Sequence, residues 1–160
     1  MNDSHPAPTE GATKQSPHVV VRGTASGFLQ EVVSGKHHLQ ADEPVSAGGN
    51  DGAPGPYDYL LIGLGVCTSM TVGLYARRKQ WPLENITVSL SHSRIHAKDC
   101  EECETKEGML DRIDANIELT GPLTREQHAK LMEIAAKCPV HRTLKSEINI
   151  RLRADQPATP

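Results

Sequence analysis

Gly55-Pro56-Tyr57-Asp58-Tyr59-Leu60-Leu61-Ile62-Gly63-Leu64-Gly65-Val66-Cys67-Thr68 opens the longest helical segment of the chain, expected over about residues 57–79. Pro56 suits the first helical position, where its missing N–H has no helical partner to lose. Leu60, Leu64, Cys67, Thr71 and Leu74 recur at alternating spacings of four and three, which predicts one inward helical face with Cys67 on it. Arg77, Arg78 and Lys79 fall in the last turn, where positive charge complements the helix dipole. Trp81-Pro82 ends the segment.

Strand patterns lie on both sides of this helix. Val19 to Arg22 is β-branched, and Phe28 to Val33 and Lys36 to Gln40 flank Ser34-Gly35 as a hairpin. Residues 42–56, rich in Gly and Pro, read as a long loop, with Asp42-Glu43 facing solvent at its head. Ile86, Val88 and Leu90 alternate as one strand, and Ile113, Ala115, Ile117 and Leu119 as another. Thr124 and Gln127 have capping-box spacing and start a helix through Lys137. Leu131, Ile134, Ala135 and Cys138 share its inner face, Pro139 stops it, and Ile148, Ile150 and Leu152 make a last strand. No βαβ alternation appears, so the expected class is α+β with antiparallel sheets.

A length of 160 residues suits one domain, taken as residues 18–153. Polar, Pro-containing tails at 1–17 and 154–160 are expected to be disordered. Aromatic residues make up only 3%, so the core must come from Val, Ile, Leu and Ala. A net charge of −3, with Lys and Arg spread along the chain, argues against nucleic acid or an anionic membrane as partner. Met1 to Pro17 lacks the apolar run of a signal peptide. Leu60 to Val72 is interrupted by Gly63, Gly65, Thr68 and Ser69 and reads as too short to span a bilayer. A cytoplasmic location is expected, where cysteines are more often catalytic or metal-binding than structural.

A thiolate is the reactive form of cysteine and needs a polar or positive setting. Cys67 lies mid-helix and needs a cation from elsewhere, whereas Cys138 lies at a helix end with His141 and Arg142 just beyond. Two inward cysteines on helices packed against one sheet could form a redox pair. One thiolate would attack a peroxide O–O bond, the second thiol would condense with the sulfenic acid, and an external dithiol would reduce the resulting disulfide. Two buried thiols filling space are the plain alternative.

Cys100-Glu101-Glu102-Cys103 carries a separate signal, half of a zinc site or a redox dithiol. His92 and His96 precede it on one strand face, which makes His96, Cys100 and Cys103 the metal candidates. Asp99, Glu101, Glu102 and Glu104 would raise the thiol pKa values, which favours a cation over a spontaneously reactive dithiol. His5, His18, His37, His38 and His128 show no ligand spacing.

The segment from Gly55 to Thr68, followed by Cys138-Pro139-Val140-His141-Arg142-Thr143-Leu144, resembles the OsmC-like family. That family includes osmotically induced protein C and the organic hydroperoxide resistance proteins. Ala41 to Pro44, Gly48-Gly49 and the Asp99 to Glu104 stretch are similar to a less characterised subgroup. The resemblance covers about residues 18–152 and implies an α+β fold of antiparallel sheets around a long central helix, in an intertwined homodimer. It also implies thiol-dependent reduction of organic hydroperoxides in oxidative stress defence, with no cofactor and an external dithiol as reductant. On that reading Cys67 is the peroxidatic cysteine and Cys138 the resolving one. Characterised relatives poise the thiolate with an Arg and a Glu. Arg22 is the matching cation, with Arg142 as an alternative. Tyr57 stands where the Glu is expected, and Asp58, one residue later, is the candidate acid. The departure at Tyr57 favours the alternative function, a non-enzymatic ligand-binding or redox-sensing protein, with or without a metal-binding hairpin.

Overall fold

The computed structural model describes residues 18–154, so the tail readings for residues 1–17 and 155–160 lie outside the described residues. The chain divides between Pro56 and Tyr57 into two compact units.

The first unit contains β1 (Val19–Arg22), β2 (Gln30–Ser34) and β3 (His37–Ala41) in one antiparallel sheet of order β1-β2-β3. Gly35 takes a φ of +58° in the expected hairpin turn, a conformation that costs glycine little because it has no Cβ. Beyond β3 the chain folds back around Asp42, contrary to its solvent-facing reading. Asp42 is buried, and its carboxylate accepts the N–H groups of Glu43 at 2.8 Å and of Asn50 and Gly52 at 3.1 Å each. A loop without a ladder must find acceptors for its amides, and one carboxylate serves three here.

These bonds make the loop acid-sensitive. The Gly52 amide lowers the Asp42 pKa most; burial opposes it, and the Glu43 and Asn50 amides reinforce it. A depressed folded-state pKa contributes stability that is present above the ordinary value of 3.8 and is lost as pH falls through the lower folded value. We expect the amide resonances of Glu43, Asn50 and Gly52 to titrate together, with a midpoint below 3.8. Asp42→Asn should remove that titration.

The second unit is built on α1 (Pro56–Lys79), β4 (Asn85–His96), β5 (Met109–Thr120), α2 (Arg125–Ala135) and α3 (Pro139–Leu144). β4 and β5 form a two-stranded antiparallel ladder, from Asn85 opposite Thr120 to His96 opposite Met109. Both strands run longer than the apolar alternation suggested, because their outer ends carry polar and charged pairs on a solvated ladder. The core joins Val72 and Ala76 of α1 to Leu131 and Ala135 of α2, with Ile86, Ile117 and Leu119 of the strands packed against them.

The buried stripe of α1 is Leu64, Gly65, Thr68, Val72, Gly73 and Ala76, rotated from the expected face. Leu60 and Leu74 are exposed. Small residues explain the choice: a Cβ on Gly65 would meet Leu90 Cδ1 at 2.8 Å, so this face lets β4 approach closely. Gln80, in the left-handed region at φ +55°, closes the helix as Trp81 N–H reaches back to the Ala76 carbonyl at 3.0 Å. By length and composition α1 could cross a bilayer, with a mean hydropathy of 1.6 in its best window. That corrects the reading of its apolar stretch as too short, since glycines and hydroxyl residues do not interrupt the helix.

The capping box at Thr124 and Gln127 forms as expected. Pro139 does not end the helical region. It takes the first position of α3, with Cys138 as N-cap. The strand expected at Ile148, Ile150 and Leu152 is absent, and all three side chains are exposed.

Candidate active site

Cys67 and Cys138 are free thiols, the first half-buried and the second with no exposed surface. α1 supplies Cys67 and, one residue on, the buried Thr68. The α2–α3 corner supplies Cys138. As N-cap, its sulfur accepts the His141 N–H at 3.3 Å, while its carbonyl takes the Arg142 N–H at 3.1 Å. The corner exists because Pro139 cannot continue α2 but is preformed to start α3.

Burial alone would push the Cys138 thiol up. The His141 amide, the Thr68 hydroxyl, the Cys67 thiol and the Val140 amide outweigh it and bring the thiol below its ordinary range. The four donors share one property: each stabilises the thiolate over the thiol. The Cys67 thiol is thus one of the groups that favour the Cys138 thiolate. The sequence reading placed both cysteines together but looked for the thiolate at Cys67. The donor set lies around Cys138, and a partner cation is not among the groups that lower it.

Thr68 was missed because a hydroxyl in an apolar helix reads as filler. It is buried next to Cys67 in α1, and its hydroxyl is among the groups that lower the Cys138 pKa. Thr68→Val keeps the shape and removes the hydroxyl. We expect the Cys138 pKa to rise in this variant, read as an upward shift in the pH dependence of ultraviolet thiolate absorbance. An unchanged titration would remove Thr68 from the donor set.

Tyr57, at the position where a Glu was expected, is exposed and stacks its ring on His92, with centroids 4.4 Å apart and 14° between planes. His92 Nε2 lies 2.9 Å from Asp111 Oδ1, and Arg94 Nε lies 3.9 Å from the same oxygen. This cluster ties the start of α1 to β4 and β5. Asp58 is exposed in the first turn of α1, where its charge complements the helix dipole. Arg22 is exposed at the end of β1, paired through the ladder with Glu31, and belongs to the first unit. Arg142 is exposed on α3.

Of the metal candidates Cys100, Cys103 and His96, the two cysteines are paired with each other in this structure. The two sulfurs are joined in a disulfide and offer no thiolate to a cation. Among the described residues no group of three His, Cys, Asp or Glu side chains converges as a metal site.

The OsmC-like protein family matches residues 48–153, which include both free cysteines. The chain belongs to the OsmC-like family. Solved OsmC-like structures share its fold. An OsmC-like protein from Mycoplasma pneumoniae is 20% identical, with 83% of this chain and 89% of that one covered, at a TM-score of 0.64. An organic hydroperoxide resistance protein OsmC from Legionella pneumophila is 18% identical, covering 83% and 91%, at 0.59. An organic hydroperoxide resistance protein from Elizabethkingia anophelis is 19% identical, covering 84% and 91%, at 0.60. No curated protein matches the chain by sequence. The α+β class and the antiparallel sheets with a long helix agree with this OsmC-like membership.

Proposed function

We propose that this OsmC-like protein is a thiol peroxidase that reduces organic hydroperoxides with Cys67 and Cys138. The observation that carries the reading is the Cys138 sulfur, fully buried at the α2–α3 corner with the His141 N–H 3.3 Å away, whose thiolate form the half-buried Cys67 thiol of α1 helps to favour. Cys67 is the sulfur a substrate can reach, and Cys138 is the base beside it. The Cys67 sulfur attacks the distal peroxide oxygen while the Cys138 thiolate takes the Cys67 proton. The O–O bond breaks, and the alkoxide leaves with a solvent proton as the alcohol. Cys67 is then a sulfenic acid. Cys138 gives up its proton and attacks the Cys67 sulfur, and hydroxide leaves with a proton as water. One hydroperoxide and two thiols become one alcohol, one water and one disulfide, which an external dithiol reduces.

This assignment gives Cys138 the activating role that relatives assign to Arg and Glu. Arg22 and Asp58 become auxiliary charges in the proposal. Steady-state turnover of cumene hydroperoxide with a dithiol as reductant tests it. We expect a higher kcat/KM for that apolar substrate than for hydrogen peroxide, since α1 carries the exposed apolar side chains Val66 and Met70 close to Cys67 in sequence.

A homodimer is part of the same proposal. Ile62, Val66 and Met70 are exposed on α1, and Ile148, Ile150 and Leu152 on the C-terminal segment, more apolar surface than a solvated monomer usually shows. Light scattering on the purified protein reads the assembly state directly. The alternative, a ligand-binding or redox-sensing protein, is favoured by the stacked Tyr57 where the acid was expected. It requires that hydroperoxide cause no turnover.

A further inference from the structure

The Cys100–Cys103 disulfide lies in the loop that joins β4 to β5. The ladder up to His96 opposite Met109, and the Ala97 N–H bond to the Gly108 carbonyl at 2.8 Å, already close that loop. Ala97, fully buried, anchors its base. The disulfide bridges residues only three apart in sequence, within a segment the ladder has already closed. A ring this small removes little freedom from the unfolded chain, so it adds little as a staple. Both sulfurs are half-buried, with the exposed Glu101 and Glu102 between them, so an outside thiolate can approach.

Charge sets how the pair behaves. Asp99, Glu101, Glu102, Glu104 and Glu107 flank the two cysteines in sequence, against Lys98 and Lys106. Negative neighbours disfavour two thiolates and so favour the disulfide. They also repel anionic thiols and attract a reductant whose reactive cysteine sits in a basic rim.

We propose that Cys100 and Cys103 form a second, reversible thiol–disulfide centre, at which this protein exchanges two electrons with an external dithiol protein. A thiolate of the partner attacks one hairpin sulfur and breaks the S–S bond, and the released sulfur takes a proton. The partner's second thiolate then attacks the mixed disulfide and releases the other hairpin sulfur, which also takes a proton. The partner ends as a disulfide and the hairpin as a dithiol. The centre needs neither Cys67 nor Cys138, so it stands apart from the peroxidase proposal.

The test uses the full chain as Cys67→Ser/Cys138→Ser, in which only the hairpin cysteines remain. Thioredoxin with its reductase and NADPH is the probe, and NADPH oxidation is followed alongside thiol alkylation and mass spectrometry. The expected result is one NADPH consumed and two alkylatable thiols gained per chain, with both thiols lost again on adding oxidised glutathione. Folded protein that resists thioredoxin, or thiols that stay reduced under excess oxidised glutathione, would overturn the proposal. Stoichiometric zinc on the reduced hairpin that blocks reoxidation would also overturn it. Cys100→Ser/Cys103→Ser separates a structural role: we expect its melting temperature to match the parent protein within a few degrees, and an unfolded variant would contradict the redox assignment.

Discussion

Replacing Cys67 by Ser should lower organic hydroperoxide turnover by about a thousandfold or more, because serine cannot supply the sulfur that takes the peroxide oxygen. The folded state should be retained, since the change is one atom at a half-buried position. Cys138→Ser gives a more discriminating result. Steady-state turnover falls in either role of Cys138, because the Cys67 sulfenic acid must then be resolved by the external dithiol. The first chemical step separates the two roles. If Cys138 serves as the base, single-turnover oxidation of Cys67 should slow by about a hundredfold. If it only resolves the sulfenic acid, that step keeps its wild-type rate. Rapid mixing followed by trapping of the sulfenic acid reads the step.

The largest stability effect should come from Leu131→Ala. Leu131 is fully buried in the cluster that joins α1 to α2 over the β4–β5 ladder. Truncation removes the transfer free energy of its side chain and leaves a cavity that two helices and a ladder cannot easily close. The expected cost is about 3 kcal/mol. For a chain of this size that lowers the melting temperature by roughly 6–12 °C. Denaturant unfolding should show a lower midpoint with an unchanged slope. A midpoint within experimental error of the parent would mean that the cluster is not the core.

Local chemistry made much of this fold legible. Pro56, the basic last turn and Trp81 bracketed α1, and the alternation from Ile86 and from Ile113 marked β4 and β5. Thr124 and Gln127 showed where α2 begins. The failures have physical reasons. α1 is apolar nearly all round, so spacing could not select its buried face; the small Gly65 and Gly73 did. Ile148, Ile150 and Leu152 have a strand's alternation, but alternation specifies a face and not a partner, and no ladder forms there. Pro139 carries both meanings of a proline, an end for α2 and a start for α3.

The two free cysteines stood out in the sequence; the electrostatics around Cys138 did not. Helical spacing and the family resemblance singled out Cys67 and Cys138 as a candidate pair. The search for an activating charge then followed the resemblance to Arg22 and Asp58. The donors that lower Cys138 are backbone amides at a helix start, a threonine hydroxyl and the other thiol. Only the last two are side chains, and neither carries formal charge, so composition and charge patterning gave no hint of them. Asp42 was misread for a related reason: a carboxylate in a Gly-rich loop looks solvated until the amides that surround it are placed.

The most direct measurement of the account is mass spectrometry of the fully reduced protein after one equivalent of cumene hydroperoxide, with alkylation of free thiols and peptide mapping. The account predicts stoichiometric release of cumyl alcohol and a disulfide linking the Cys67 and Cys138 peptides. A protein that keeps both thiols alkylatable and leaves the hydroperoxide unconsumed would contradict it.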